Sequence, residues 1–211
     1  MLRKSISLFV ASALCAAVHA GPSMSPDTKS LIDGLPDVSF SGSAANALFG
    51  QNIANAGDVN GDGYDDLLVG APGHDGTATD AGAAFLFFGS AEGFDAVADW
   101  QVIAGQSGGH YGSAVAGVGD VNGDGFDDFV IGAEFVDNGQ TDEGGAYLYL
   151  GGASISTTSS AFMESNQVSS YLGGSVAGVG DVNGDGYADF AVGGIGHDGG
   201  ASNSGVVFLF F

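Results

Sequence analysis

The sequence predicts an all-β fold made of β-propeller blades, each of four antiparallel strands, and three observations carry that prediction. One nine-residue loop occurs three times, opening at Asp58, Asp120 and Asp181, with spacings of 62 and 61 residues. Short apolar runs flank every copy in the same order, as expected when a whole supersecondary unit is duplicated. No stretch sustains a 3.6-residue apolar period, and 39 glycines would penalise helices throughout.

The elements follow in order from an alignment on the loops. Val38-Ser39-Phe40-Ser41-Gly42 resembles Val102-Ile103-Ala104-Gly105 in its position before a Phe-Gly-like pair, and reads as an unpaired fourth strand. The pairs are Phe49-Gly50, Tyr111-Gly112 and Leu172-Gly173. Small-residue runs come next, at 51–57, 113–119 and 174–180, suited to a strand packed closely among neighbours. After each loop stands an apolar strand with a glycine stop: Leu67 to Pro72, Phe129 to Ala133 and Phe190 to Gly194. Third strands are expected at 83–88, 146–150 and 206–211, rich in β-branched and aromatic residues, and weaker fourth strands at 100–104 and 161–164. Four strands per repeat of about 60 residues is the proportion of a propeller blade.

The loops carry the chemistry. Side-chain oxygens stand at positions 1, 3, 5 and 9, the donor set a hard cation of calcium's size asks for. The expected ligands are Asp58, Asn60, Asp62 and Asp66 with the Tyr64 carbonyl; Asp120, Asn122, Asp124 and Asp128 with the Phe126 carbonyl; and Asp181, Asn183, Asp185 and Asp189 with the Tyr187 carbonyl. Gly63, Gly125 and Gly186 at position 6 allow the chain to fold back around an ion. The beginning is that of an EF-hand loop, but position 12 is Val69, Ile131 or Val192 where that loop needs a bidentate Glu. Position 8 is the poorest ligand candidate, because Asp65 and Asp127 become Ala188 in the third copy. About three calcium ions, one per repeat, are therefore expected, cross-linking the first two strands of each blade. Asp, Asn and Gly are also turn formers, and it is the threefold recurrence at fixed spacing that favours the metal.

Charge and leader bound the rest. Arg3 and Lys4 precede an apolar run from Ile6 to Val18, and Val18-His19-Ala20 offers small residues for cleavage, so residues 1–20 read as a secretory signal peptide. The one cysteine, Cys15, lies within it. Residues 21–37 read as a linker, and 38–211 as the propeller, with repeats at about 43–105, 106–165 and 166–211. Twenty-five acidic residues face three basic ones, of which only Lys29 lies beyond the leader. Such a chain is repelled by nucleic acid and by anionic lipid, and no second apolar run is long enough to span a bilayer. An exported protein, extracellular or periplasmic, is expected.

The Phe-Gly pair, the Asp-Val-Asn-Gly-Asp-Gly loop and Gly70-Ala71-Pro72 resemble the FG-GAP repeats of integrin alpha-subunit propellers and their bacterial relatives. The match is fullest in the first repeat; Gly-Ala-Pro becomes Gly132-Ala133-Glu134 and then Gly193-Gly194-Ile195. The resemblance implies a larger propeller of about seven blades whose ring is closed by a swapped leading strand. Twelve expected strands make only three blades, below the roughly four to eight of a closed propeller. Either the chain is a piece of a longer one, or blades from several chains assemble; an open fan would expose apolar faces.

His74-Asp75 and His197-Asp198 match across the first and third repeats, in the loop after the second strand, where the middle repeat has Val136-Asp137. They lie on the face opposite the calcium loops, which the integrin resemblance makes the ligand face. A polar turn inherited by duplication is the favoured account of them, with a metal or ligand contact shared between the copies as the other. There is no Gly-x-Ser-x-Gly elbow, no metal-binding His pair at helical spacing and no cysteine nucleophile, so no enzyme is expected. The expected function is a calcium-binding extracellular module for protein or glycan recognition, including cell adhesion. The alternative is an accessory propeller of a larger secreted enzyme.

Overall fold

The computed structural model describes residues 38–211; the expected signal peptide and linker lie outside the described residues. Among the described residues, eleven strands form three antiparallel sheets. The first holds β1 (Asn52–Gly57), β2 (Asp66–Ala71), β3 (Ala83–Phe87) and β4 (Trp100–Ile103), hydrogen-bonded in chain order. The second holds β5 (Tyr111–Gly119), β6 (Asp128–Ala133), β7 (Gly145–Tyr149) and β8 (Ala161–Glu164) in the same order. The third has β9 (Leu172–Gly180), β10 (Asp189–Gly194) and β11 (Val206–Phe210), with no fourth strand among the described residues. These are the blades the repeat predicts, and none of the described residues is helical.

The core lies between blades, because each sheet is apolar on both faces. In β6, alternate side chains point opposite ways: Phe129 and Ile131 pack with Leu68, Leu86 and Trp100 of the first blade. Val130 packs the other way, with Leu172, Phe190 and Val192 of the third. Burial on both sides explains why β6 reads as an unbroken apolar run. Trp100 is part of this core, edge-on to Phe129 and Tyr149 at 5.2 and 5.1 Å, and its indole N–H donates to the Ser156 carbonyl at 3.1 Å.

The motif glycines form the seam between blades. A Cβ on Gly70 would stand 2.2 Å from the Gly112 carbonyl oxygen, and one on Gly132 would stand 1.9 Å from that of Gly173. The glycine stop of one blade thus receives the backbone of the next blade's Phe-Gly-like pair, an approach only glycine permits. Single parallel bridges, Gly82 to Tyr111 and Gly144 to Leu172, join the blades beside each seam. The innermost strands pack in succession, β1 on β5 and β5 on β9.

One expectation fails. Val38–Gly42 forms no strand. The edge of β3 is already taken by β4, from Ala83 opposite Ile103 to Leu86 opposite Trp100, and the unpaired third-strand edge belongs to β11, two blades away. Phe40 instead covers the outer side of the first blade, against Phe87 and Phe94 with ring centroids at 4.5 and 6.2 Å. No helix among the described residues is long and apolar enough to cross a membrane.

Candidate metal centre

Each nine-residue loop joins the first two strands of its blade, and all three lie on one rim, where consecutive loops touch. The first residue shapes each loop. In the first copy, Asp58 Oδ1 accepts the Gly61 and Asp62 N–H groups at 2.8 and 3.0 Å, and Oδ2 accepts that of Gly63 at 2.8 Å. Asn60 Oδ1 then accepts from Asp62 N–H at 2.8 Å, and Asp62 Oδ1 from Tyr64 N–H at 3.0 Å. Asp120 and Asp181 repeat the pattern, toward Gly123, Asp124 and Gly125 and toward Gly184, Asp185 and Gly186. These are the local side-chain bonds that Asp and Asn offer in preference to regular structure. The position-6 glycines have φ of 92°, 91° and 96°, in the left-handed region.

Position 9 begins the second strand and is buried. Asp66 accepts Val59 N–H at 2.9 Å and Gly89 N–H at 2.8 Å; Asp128 accepts those of Val121 and Gly151, both at 2.8 Å. Each carboxylate thereby ties the loop to the end of the third strand. Asp189 keeps the Val182 bond at 2.8 Å, while its Oδ1 is buried without a donor among the described residues. Burial pushes the Asp66 carboxyl up to about 6, partly offset by the Gly89 and Val59 N–H groups and reinforced by the charges of Asp62 and Asp58. Asp128 is raised to about 6 in the same way, with Asp124 and Asp120 as its neighbours. For Asp120 slight burial works upward, but the N–H groups of Gly125, Gly123, Asp124 and Asn122 outweigh it and hold the carboxyl below the ordinary range.

The donor set is all oxygen, and each carboxylate has lone pairs left beyond the backbone bonds it accepts. No Lys or Arg occurs in residues 38–211 to neutralise it. No three His, Cys, Asp or Glu side chains among the described residues gather as a metal-holding group by themselves, so a cation here depends on Asn60, Asn122 and Asn183 and on the position-7 carbonyls as well. Within those terms the residues fit calcium better than a softer metal, because every donor is a hard oxygen, part carboxylate and part neutral amide or carbonyl.

Position 8, set aside as a ligand, has another task that the sequence did not reveal. Asp65 Oδ2 accepts from Asn55 Nδ2 at 2.9 Å within its own blade. Asp127 reaches the neighbouring loop: its Oδ2 accepts Asp58 N–H at 2.9 Å, and its own N–H donates to the Asp58 carbonyl at 3.2 Å.

On the opposite rim, the structure does not bring the paired His-Asp residues together; each stays in its own blade. Asp75 and Asp198 close their loops, accepting N–H groups of Asp80 at 2.9 Å and Asn203 at 2.6 Å. Asp137 does the same for Asp142 at 2.7 Å, so this acid serves all three repeats. His74 and His197 occupy the place of buried Val136, facing Phe85 and Phe208 at 6.0 and 5.7 Å. Both are half-buried, and Nδ1 of each lacks a partner among the described residues. Nearby, Leu48, His110 and Tyr171 precede the three Phe-Gly-like pairs with φ of 56°, 53° and 53°, strain that no residue type announces.

Residues 49–87 and 111–149 match the FG-GAP repeat family, spans that run from the Phe-Gly-like pair to the end of the third strand. The chain is an FG-GAP β-propeller protein. It is 32% identical over 169 residues to integrin alpha-5 of Xenopus laevis, covering 75% of this chain and 16% of that protein. Integrin alpha-V of Gallus gallus is 32% identical over 172 residues, again 75% and 16%, and human integrin alpha-6 is 31% identical over 161, 75% and 14%. The FG-GAP chain thus spans about one-sixth of the length of these relatives. The third repeat falls outside the family match although β9 to β11 and its loop repeat the geometry.

Proposed function

We propose that this FG-GAP protein is an exported, calcium-binding β-propeller module that recognises an extracellular protein or glycan, in the manner of an adhesion domain and without catalysis. Calcium fills the three loops on one rim, and recognition belongs to the opposite rim. The observation that carries the reading is the threefold loop, with side-chain oxygens at positions 1, 3 and 5 held in the same hydrogen-bond pattern each time and the position-9 carboxylate accepting the position-2 N–H in all three. The relatives named as integrins support the recognition role, and the acidic composition argues against nucleic acid and anionic lipid as partners. Bound calcium stabilises the blades by tying β1 to β2 and by offsetting the repulsion among each loop's carboxylates.

Thermal melting with calcium and with excess chelator tests this. At a hundredfold excess over Kd each filled loop contributes about 2.7 kcal/mol, and 1 kcal/mol shifts the midpoint by roughly 2–4 °C for a domain of this size. A midpoint that does not move on calcium removal overturns the reading.

A further inference from the structure

The three loops form a connected row. Loop two touches loop one at three points. Asp127 clamps the Asp58 backbone through both hydrogen bonds described above. A Cβ on Gly57 would stand 2.1 Å from the Asp127 Oδ2, and one on Gly61 would stand 2.5 Å from the Phe126 ring. Loop three touches loop two at the matching points with one part missing. Ala188 N–H donates to the Asp120 carbonyl at 3.0 Å. A Cβ on Gly119 would meet the Ala188 Cβ at 2.9 Å, and one on Gly123 the Tyr187 ring at 2.6 Å. No carboxylate stands at 188 to take the Asp120 N–H.

We infer that Asp127 is a positioning residue that makes calcium binding to loops one and two cooperative and leaves loop three more independent. The inference rests on the calcium reading above. Asp127 lies between two expected ligands of loop two, the Phe126 carbonyl and Asp128, so an ion in that loop fixes it. What it then fixes is Asp58, whose carboxylate organises the N–H groups of Gly61, Asp62 and Gly63 in loop one. Ordering of loop one is partly accomplished before its own ion arrives, which is positive coupling between sites. The second junction transmits less, because the Ala188 side chain offers no acceptor.

Calcium titration of the full chain by calorimetry, on the parent protein and on Asp127→Ala, Asp127→Asn and Ala188→Asp, tests the inference. The parent should fill two sites in a cooperative phase and one separately. Asp127→Ala should abolish the cooperativity and weaken one site by at least about fivefold, the lower end of typical coupling, with the number of sites unchanged. Asp127→Asn retains an acceptor oxygen and should keep most of the coupling. Ala188→Asp should draw the third site into the cooperative phase. A purely structural Asp127 would change the melting temperature of the metal-free protein and leave the coupling as it was. Parent-like titrations for both Asp127→Ala and Ala188→Asp overturn the coupling and spare the calcium reading. A parent that takes up no calcium overturns both.

Discussion

The second and third blades carry the same five residues, Val-Ala-Gly-Val-Gly, at 115–119 and 176–180, and treat them differently. In β5 the run is buried or nearly so, with Val118 only 3% exposed; in β9 it is mostly open, and Val179 is 38% exposed. The third strands repeat the contrast. Ala146 is fully buried in β7, whereas Val207 in β11 is 66% exposed and Leu209 is 50% exposed. Among the described residues the second blade has a neighbour on each side and the third has one. Local sequence therefore specifies a face suited to burial, and the neighbouring blade decides whether burial occurs.

The comparison can be broken most severely at the first interface. Phe129→Ala removes a fully buried ring that stacks on Tyr149 at 5.3 Å and should destabilise by about 3–5 kcal/mol, measured by urea unfolding. Next comes the seam. Gly132→Ala would force the Gly173 backbone to shift and should cost about 1–3 kcal/mol. Gly193→Ala, at the same position of the third blade, meets nothing nearer than the Ser175 Cβ at 3.5 Å and should be close to neutral. Equal losses from the two glycine variants would show that the seam is not what distinguishes the blades.

A subtler contrast is alkaline. Burial raises Tyr111 well above its ordinary value, with Tyr149 next to it, and raises Tyr147 to about 12. The Tyr111 and Tyr149 hydroxyls are hydrogen-bonded at 2.7 Å. A folded pKa above the unfolded value of about 10 means that this stability is complete below pH 10 and is lost as pH rises through 10 to 12. The third blade has Leu172, Phe208 and Phe210 in these three places. The melting temperature should fall above pH 10, and Tyr147→Phe should lessen the fall. The smallest effect belongs to Leu209→Ser, which should change stability by no more than about 0.5 kcal/mol. Its measurable consequence is reduced self-association in ultracentrifugation, since it interrupts an exposed apolar face.

The sequence made the loops and the strand order legible because both are local: the spacing of Asp and Asn sets the turns, and apolar runs between glycines set the strands. It could not reveal that Val38–Gly42 stays unpaired, since that depends on which sheet edges are free. Nor could it show that Asp127 bridges two repeats while Asp65, its counterpart, bonds within one. Position 8 looks expendable because the third copy has Ala188; only the packing shows that its backbone contact survives while its side-chain contact does not. The His-Asp pairs show the converse. A match between two repeats drew attention to His74 and His197, whereas the acid common to all three, Asp75, Asp137 and Asp198, turns out to close the loop.

The glycine seams fix the pitch of the fan by main-chain contact. At Gly70–Gly112 and Gly132–Gly173 no side chain intervenes, so the step from blade to blade is insulated from drift in the surrounding core. Trp100 can stand at the first junction and Met163 at the second while the gearing stays the same. A blade of this kind can be duplicated first and have its interior rewritten afterwards, because its angular registration lies in the backbone.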